Sequence, residues 1–124
     1  MILGAHVLLQ STDAEADRAF LRDVLGFPFV DAGHGWLIFK LPPAEVAVHP
    51  VDNSDQHGAA HGSLGAVLYL MCDDLAAEIA SLKSKGIHCG RIDEAPWGVK
   101  TTIQLPSGGE IGLYQPKHPT ALNL

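Results

Sequence analysis

Apolar runs, polar turn clusters and glycine stops follow one another along this chain in the order strand, helix, strands, and that order is run through twice. Residues 5–10 form a short apolar segment. On a regular pleat His6, Leu8 and Gln10 share one face and Val7 and Leu9 the other, which predicts a strand. Ser11-Thr12-Asp13 supplies cap chemistry, and Ser11 or Thr12 is expected to accept a hydrogen bond from a first-turn amide of a helix over residues 14–25. Ala16, Ala19, Phe20, Asp23 and Val24 fall near helical spacing there, and Gly26 is the expected stop, since glycine enters the left-handed region without a Cβ penalty. Residues 36–41 and 45–49 read as strands joined by Pro42-Pro43-Ala44, because proline cannot donate to a ladder and belongs in the connection.

The second pass begins with an apolar strand over residues 63–72. Asp73 or Asp74 is placed to cap a helix over 75–85, in which Leu75, Ile79 and Leu82 make a buried stripe while Lys83 and Lys85 favour the C-terminal end. Gly86 closes it. Residues 87–91, 99–105 and 110–115 are expected strands, separated by the turns Pro96-Trp97-Gly98 and Pro106-Ser107-Gly108-Gly109.

The two passes also match residue by residue. Gly4-Ala5-His6-Val7-Leu8-Leu9-Gln10-Ser11-Thr12-Asp13 is echoed by Gly65-Ala66-Val67-Leu68-Tyr69-Leu70-Met71-Cys72-Asp73-Asp74, and the closing stretch 41–50 is echoed by 105–116. A repeat of this size implies two matching units sharing a core or a cleft. The expected organisation is a single duplicated domain over residues 1–124, with module 1 at about 4–50, a linker at about 51–62 and module 2 at about 63–116. The linker carries Asp52, Asn53, Asp55, Gln56, His57 and His61 among glycine and alanine, which suits a surface connection.

Composition narrows the function classes. With 47% hydrophobic and 18% charged residues in 124, the chain can bury a core and is not a disordered segment. The formal charge of −6 and dispersed basic residues argue against a nucleic-acid partner, which needs a basic face. Cys72 and Cys89 form neither a Cys-x-x-Cys pair nor a disulfide framework, so a reducing, cytoplasmic setting is expected. No signal-like run and no apolar stretch of spanning length predicts export or a membrane partner.

Candidate binding chemistry comes from the aromatics. Trp36, Phe39 and Trp97 are suited to an apolar wall, and the hydroxyls of Tyr69 and Tyr114 to orienting a polar group on a ligand. Trp97 stands out by its place in a Pro-Trp-Gly turn. His34, His57 and His61 lie in loop-like sequence without ligand spacing, and His88 and His118 are equally unsupported as ligands, so solvated or structural roles are the expectation for all five.

Phe20-Leu21-Arg22-Asp23-Val24-Leu25-Gly26-Phe27, Pro96-Trp97-Gly98 and Leu105-Pro106-Ser107-Gly108-Gly109-Glu110-Ile111-Gly112-Leu113, in this order and beside the internal repeat, resemble the vicinal oxygen chelate superfamily of glyoxalase I, bleomycin-resistance proteins and extradiol dioxygenases. The resemblance spans residues 4–116. It implies an α+β fold of paired βαβββ modules whose curved mixed sheets surround a cleft, with a homodimer expected.

Metal-dependent members of that superfamily commonly take two ligands from the first and last strands of each module. Carried onto this chain, those positions are His6, Ala47, Val67 and Gly112, of which only His6 has a donor. A site displaced by one pleat remains the alternative: a divalent metal ion on His6 and His49 with Glu110 or Tyr114. Glu45 also lies two residues from a mapped position, and two residues along a strand displace an atom by roughly 6–7 Å. The favoured expectation has no cofactor and a small organic ligand held by His6, Phe39, His49, Trp97 and Tyr114, so that the chain binds or sequesters a small aromatic or amphipathic molecule in the manner of a bleomycin-resistance protein. The alternatives are a metal-dependent glyoxalase-like lyase or extradiol-type dioxygenase using His6 and His49, and a structural or regulatory homo-oligomer.

Overall fold

A computed structural model describes residues 1, 3–50 and 65–124; the expected linker at 51–62 and the start of the expected strand at 63 lie outside the described residues. The fold is α+β and divides into two compact units, Met1–Lys40 with Leu105–Gly109, and Leu41–Gln104 with Glu110–Leu124.

In the first unit, helix α1 covers Ala14–Asp23. The cap is Asp13 rather than Ser11 or Thr12: its Oδ1 accepts the Ala16 N–H at 3.2 Å, while Ser11 Oγ accepts the Asp13 N–H at 3.0 Å. A carboxylate at this position satisfies an orphan amide and also meets the positive end of the helix dipole. The helix stops two residues short of the expected Leu25, because Gly26 turns left-handed at φ +68° and lets the Phe27 N–H return to Leu21 O at 3.1 Å. Phe20 is the buried anchor of its inner face.

Strands β1 (Phe29–Asp31) and β2 (Leu37–Phe39) then form an antiparallel hairpin in which Phe29 faces Phe39. β1 has no counterpart in the sequence pattern, which shows only three strand residues after Pro28; β2 sits inside the expected 36–41. Residues 5–10, expected as a strand, form none among the described residues and are exposed throughout. Alternation reveals which residues suit a pleat, but a strand also needs a neighbouring backbone to bond.

The second unit carries the full βαβββ order: β3 (Tyr69–Met71), α2 (Leu75–Ser84), β4 (Asp93–Ala95), β5 (Gly98–Gln104) and β6 (Glu110–Pro116). The sheet order is β3-β6-β5-β4, with β3 parallel to β6 and the other pairs antiparallel. Asp74 caps α2 through its Oδ1 and the Ala77 N–H, and Gln115 Oε1 accepts the Leu75 N–H at 2.9 Å, fastening the helix start to β6. Alternation sets the core: Thr101 and Ile103 on β5 and Ile111 and Leu113 on β6 are buried, as are Leu75 and Leu82 of α2. Each fully buried aliphatic side chain contributes about 2 kcal/mol.

Three expectations change in this unit. Residues 87–91 contribute only a bridge, Cys89 to Ile103, before β4 begins at Asp93. β4 itself is a hairpin arm set by the two-residue Pro96-Trp97 turn, and its Asp-Glu start hides it from an apolar pattern. Residues 45–49 form no strand, although Glu45 Oε1 accepts the Ala121 N–H at 2.9 Å. No helix among the described residues is long and apolar enough to cross a membrane.

Candidate functional site

The face of the β3-β6-β5-β4 sheet that does not carry Ile103 and Leu113 presents the alternate residues: Tyr69 on β3, Glu110, Gly112 and Tyr114 on β6, Lys100 and Thr102 on β5. A half-open groove of about 190 Å³ runs along this face, lined by Tyr69, Lys100, Thr102, Glu110 and Gly112 together with Asp93 of β4. Its floor depends on glycine. Tyr69 is the register partner of Gly112, and its ring lies across that residue, so that a Cβ built at 112 would stand 2.8 Å from Tyr69 Cγ. At Gly98 a Cβ would stand 3.2 Å from Tyr114 Cδ2 and 2.7 Å from Gln115 O. Both glycines let a ring settle against the backbone.

The rings meet edge to face. Tyr69 and Tyr114 have centroids 5.4 Å apart at 82°, Trp97 and Tyr114 5.6 Å apart at 75°, and Tyr69 and Trp97 6.5 Å apart at 77°. Tyr114 is only 8% exposed, whereas Trp97 at the hairpin tip is 40% exposed, so the trio has a fixed base and an accessible rim. Lys100 extends over Trp97 with its ammonium 5.4 Å from a ring centroid.

Hydrogen bonding orients the Tyr114 hydroxyl. His118 Nδ1 lies 2.7 Å from Pro119 O, and a carbonyl only accepts, so Nδ1 carries the proton. In the neutral ring Nε2 is then the acceptor, and Tyr114 donates to it at 3.0 Å. Burial pushes the Tyr114 phenol above its ordinary range, and the negative charge of Glu45 adds to that, so Tyr114 stays a neutral donor.

Of the residues expected at the site, Trp97 and Tyr114 are brought together. Phe39 pairs with Phe29 in the hairpin of the first unit at 5.8 Å, and His6 is exposed in that same unit. His49 is exposed and directs Nδ1 to Pro50 O at 2.8 Å. Lys100 had no signal in the sequence, since a lysine within a strand suits a solvated face; His118 was expected in a non-ligand role, but nothing in the spacing ties it to the Tyr114 hydroxyl. Tyr69 carried an aromatic signal but none for its place over Gly112.

Residues 5–113 match the Glyoxalase/Bleomycin resistance protein/Dioxygenase superfamily. The chain belongs to this superfamily. Among solved structures it is similar to TnmS3, an antibiotic binding protein from Streptomyces sp. CB03234, at 25% identity and a TM-score of 0.62, over 94% of this chain and 99% of that one. A glyoxalase/bleomycin resistance protein from the same Streptomyces strain is 26% identical with a TM-score of 0.53, over 85% of this chain and 93% of that one. A lactoylglutathione lyase from Agrobacterium tumefaciens, 21% identical with a TM-score of 0.62 over 91% of this chain and 92% of that one, shares the fold. No curated protein sequence matches the chain.

Membership raises the question of a divalent metal, and the second-unit positions do not fit one. Val67 has no donor atom, and Gly112 has no room for any side chain beneath the Tyr69 ring. Among the described residues no three His, Cys, Asp or Glu side chains gather as a metal would require. The thiols offer no substitute. Burial raises Cys72 and Cys89 above the ordinary thiol range, with Glu78 and Asp73 adding to the rise at Cys72, whereas a thiol ligand must be deprotonated.

Proposed function

We propose that this chain binds and sequesters a small aromatic or amphipathic molecule on the open sheet face of its second unit, without a tightly held divalent metal, and that it does so as a homodimer. The observation that carries the reading is the Tyr69-Trp97-Tyr114 corner seated on Gly98 and Gly112, beside a groove that Tyr69 shares with Lys100 and Thr102 and with Trp97 exposed at its rim. Broad rings give contact area, and a few polar groups fix direction. Similarity to an antibiotic binding protein over nearly the whole of both chains supports binding as the activity. His6, Phe39 and His49 are not needed for it.

The test uses Trp97 as the reporter in a Trp36→Phe background, with the neutral probe 2-naphthamide. A saturable change in Trp97 emission is expected, unaltered by prior chelation and weakened about tenfold by Tyr69→Leu, since an aromatic contact contributes roughly 0.5–1.5 kcal/mol beyond its area. Absence of any saturable change overturns the reading. So does stoichiometric metal in the purified protein together with turnover that chelation abolishes and metal restores.

A further inference from the structure

The charges along the groove are unevenly satisfied, and that unevenness identifies the ligand class. Arg91 and Asp93 engage each other, Nε to Oδ1 at 3.1 Å. Glu45 is occupied by the Ala121 N–H. Glu110 also lines the groove, but its Cα lies about 13 Å along β6 from that of Tyr114, the register partner of Lys100, and it makes no ion pair with the lysine. Lys100 itself is half-buried between Asp93 and Tyr114 in register, its ammonium over the Trp97 ring, and among the described residues no carboxylate forms an ion pair with it. A cation held beside an aromatic corner, with the acid that faces it in register already bonded to an arginine, is complementary to an anionic group attached to an aromatic ring.

We infer that the site selects aromatic acids, with the ligand's carboxylate or equivalent oxyanion on Lys100 and its ring against Tyr69 and Trp97. The inference rests on the binding reading above and adds the ligand's charge to it. The acidic balance of the whole chain opposes an anion at long range, so the preference must come from the short contact at Lys100 and not from steering. A charge-assisted hydrogen bond in a partly desolvated site is worth about tenfold or more in affinity.

Three probes of one shape decide it: 2-naphthoate, 2-naphthamide and 2-naphthylmethylammonium, titrated against Trp97 emission in the Trp36→Phe protein. Naphthoate is expected to bind about tenfold tighter than naphthamide, with the ammonium weakest. Lys100→Met should bring the naphthoate-to-naphthamide ratio close to one, and Lys100→Arg should restore it. Equal affinities in the protein with Lys100 intact overturn the inference even if Lys100→Met does not fold, and leave the binding reading standing. A naphthoate preference that survives in folded Lys100→Met overturns the assignment to Lys100. Failure of all three probes to bind removes the binding reading, and the inference falls with it.

Discussion

Asp17 is a carboxylate on α1 that is 8% exposed, yet three donors reach it: Ser11 Oγ at 2.7 Å, Ser107 Oγ at 2.7 Å and the Ser107 N–H at 3.0 Å. Burial by itself would push its pKa up; the bonds from Ser11 and Ser107 outweigh burial and hold the carboxyl below 3.8. The charged form is therefore the one that fastens the Leu105–Gly109 loop to α1. Asp17→Asn should lower stability at neutral pH by about 2 kcal/mol, measured by urea unfolding, since it weakens several charge-assisted bonds at once. The pH dependence has a definite sign. A carboxyl depressed in the folded state contributes fully above its unfolded value near 4 and loses that contribution as pH falls through the folded value. The gap between wild type and Asp17→Asn should thus be constant from about pH 7 to 5 and close below about pH 4. A gap that widened in acid would contradict this placement of the charge. The sequence showed Ser11 as cap chemistry and Ser107 as a turn residue; that both serve one carboxylate depends on a contact 90 residues apart, which spacing does not encode.

At the scale of elements, the parallel β3/β6 pair is built around a ring and the absence of a side chain. Gly112→Ala puts a methyl where the Tyr69 ring lies, and should destabilise by about 1–3 kcal/mol through overpacking. The same substitution made in Tyr69→Ala should cost little beyond Tyr69→Ala alone. Thermal melts of the four proteins measure this coupling, and additive losses would show that ring and glycine are independent. Elements that announce themselves locally were legible in advance: α1 by helical spacing and a glycine stop, though with Asp13 and not Ser11 or Thr12 as its cap, α2 by cap, stripe and glycine stop, β5 and β6 by alternation around a Pro-Ser-Gly-Gly turn. β1 and β4 were not, because each is three residues long and takes its shape from a hairpin partner. That Trp97 and Tyr114 share one cluster of rings was expected from their places in a turn and at a strand end. Lys100 gained meaning only once register placed it between Asp93 and Tyr114.

On the scale of the whole molecule, the two halves of the repeat end differently in the single chain. Residues 65–74 include β3, paired with β6, whereas their counterparts at 4–13 expose Val7, Leu8 and Leu9, and residues 45–49 expose Val46 and Val48. Exposed apolar side chains of this kind are what the proposed homodimer would cover in each segment, and backbone outside any strand is a template for a further one. The proposed homodimer gives these segments a partner. Leu8 is 68% and Val48 95% exposed, so Leu8→Asp and Val48→Asp should leave the monomer's own stability within about 0.5 kcal/mol. Placed in an interface, the same carboxylates would be desolvated without a counter-charge and would break it. Sedimentation equilibrium should therefore give twice the 13.2 kDa chain mass for the wild type at micromolar concentration and the single-chain mass for either variant, with far-UV circular dichroism still reporting α2 and its sheet. A wild type that sediments as a monomer, or variants that remain dimeric, would remove these segments as the dimer surface.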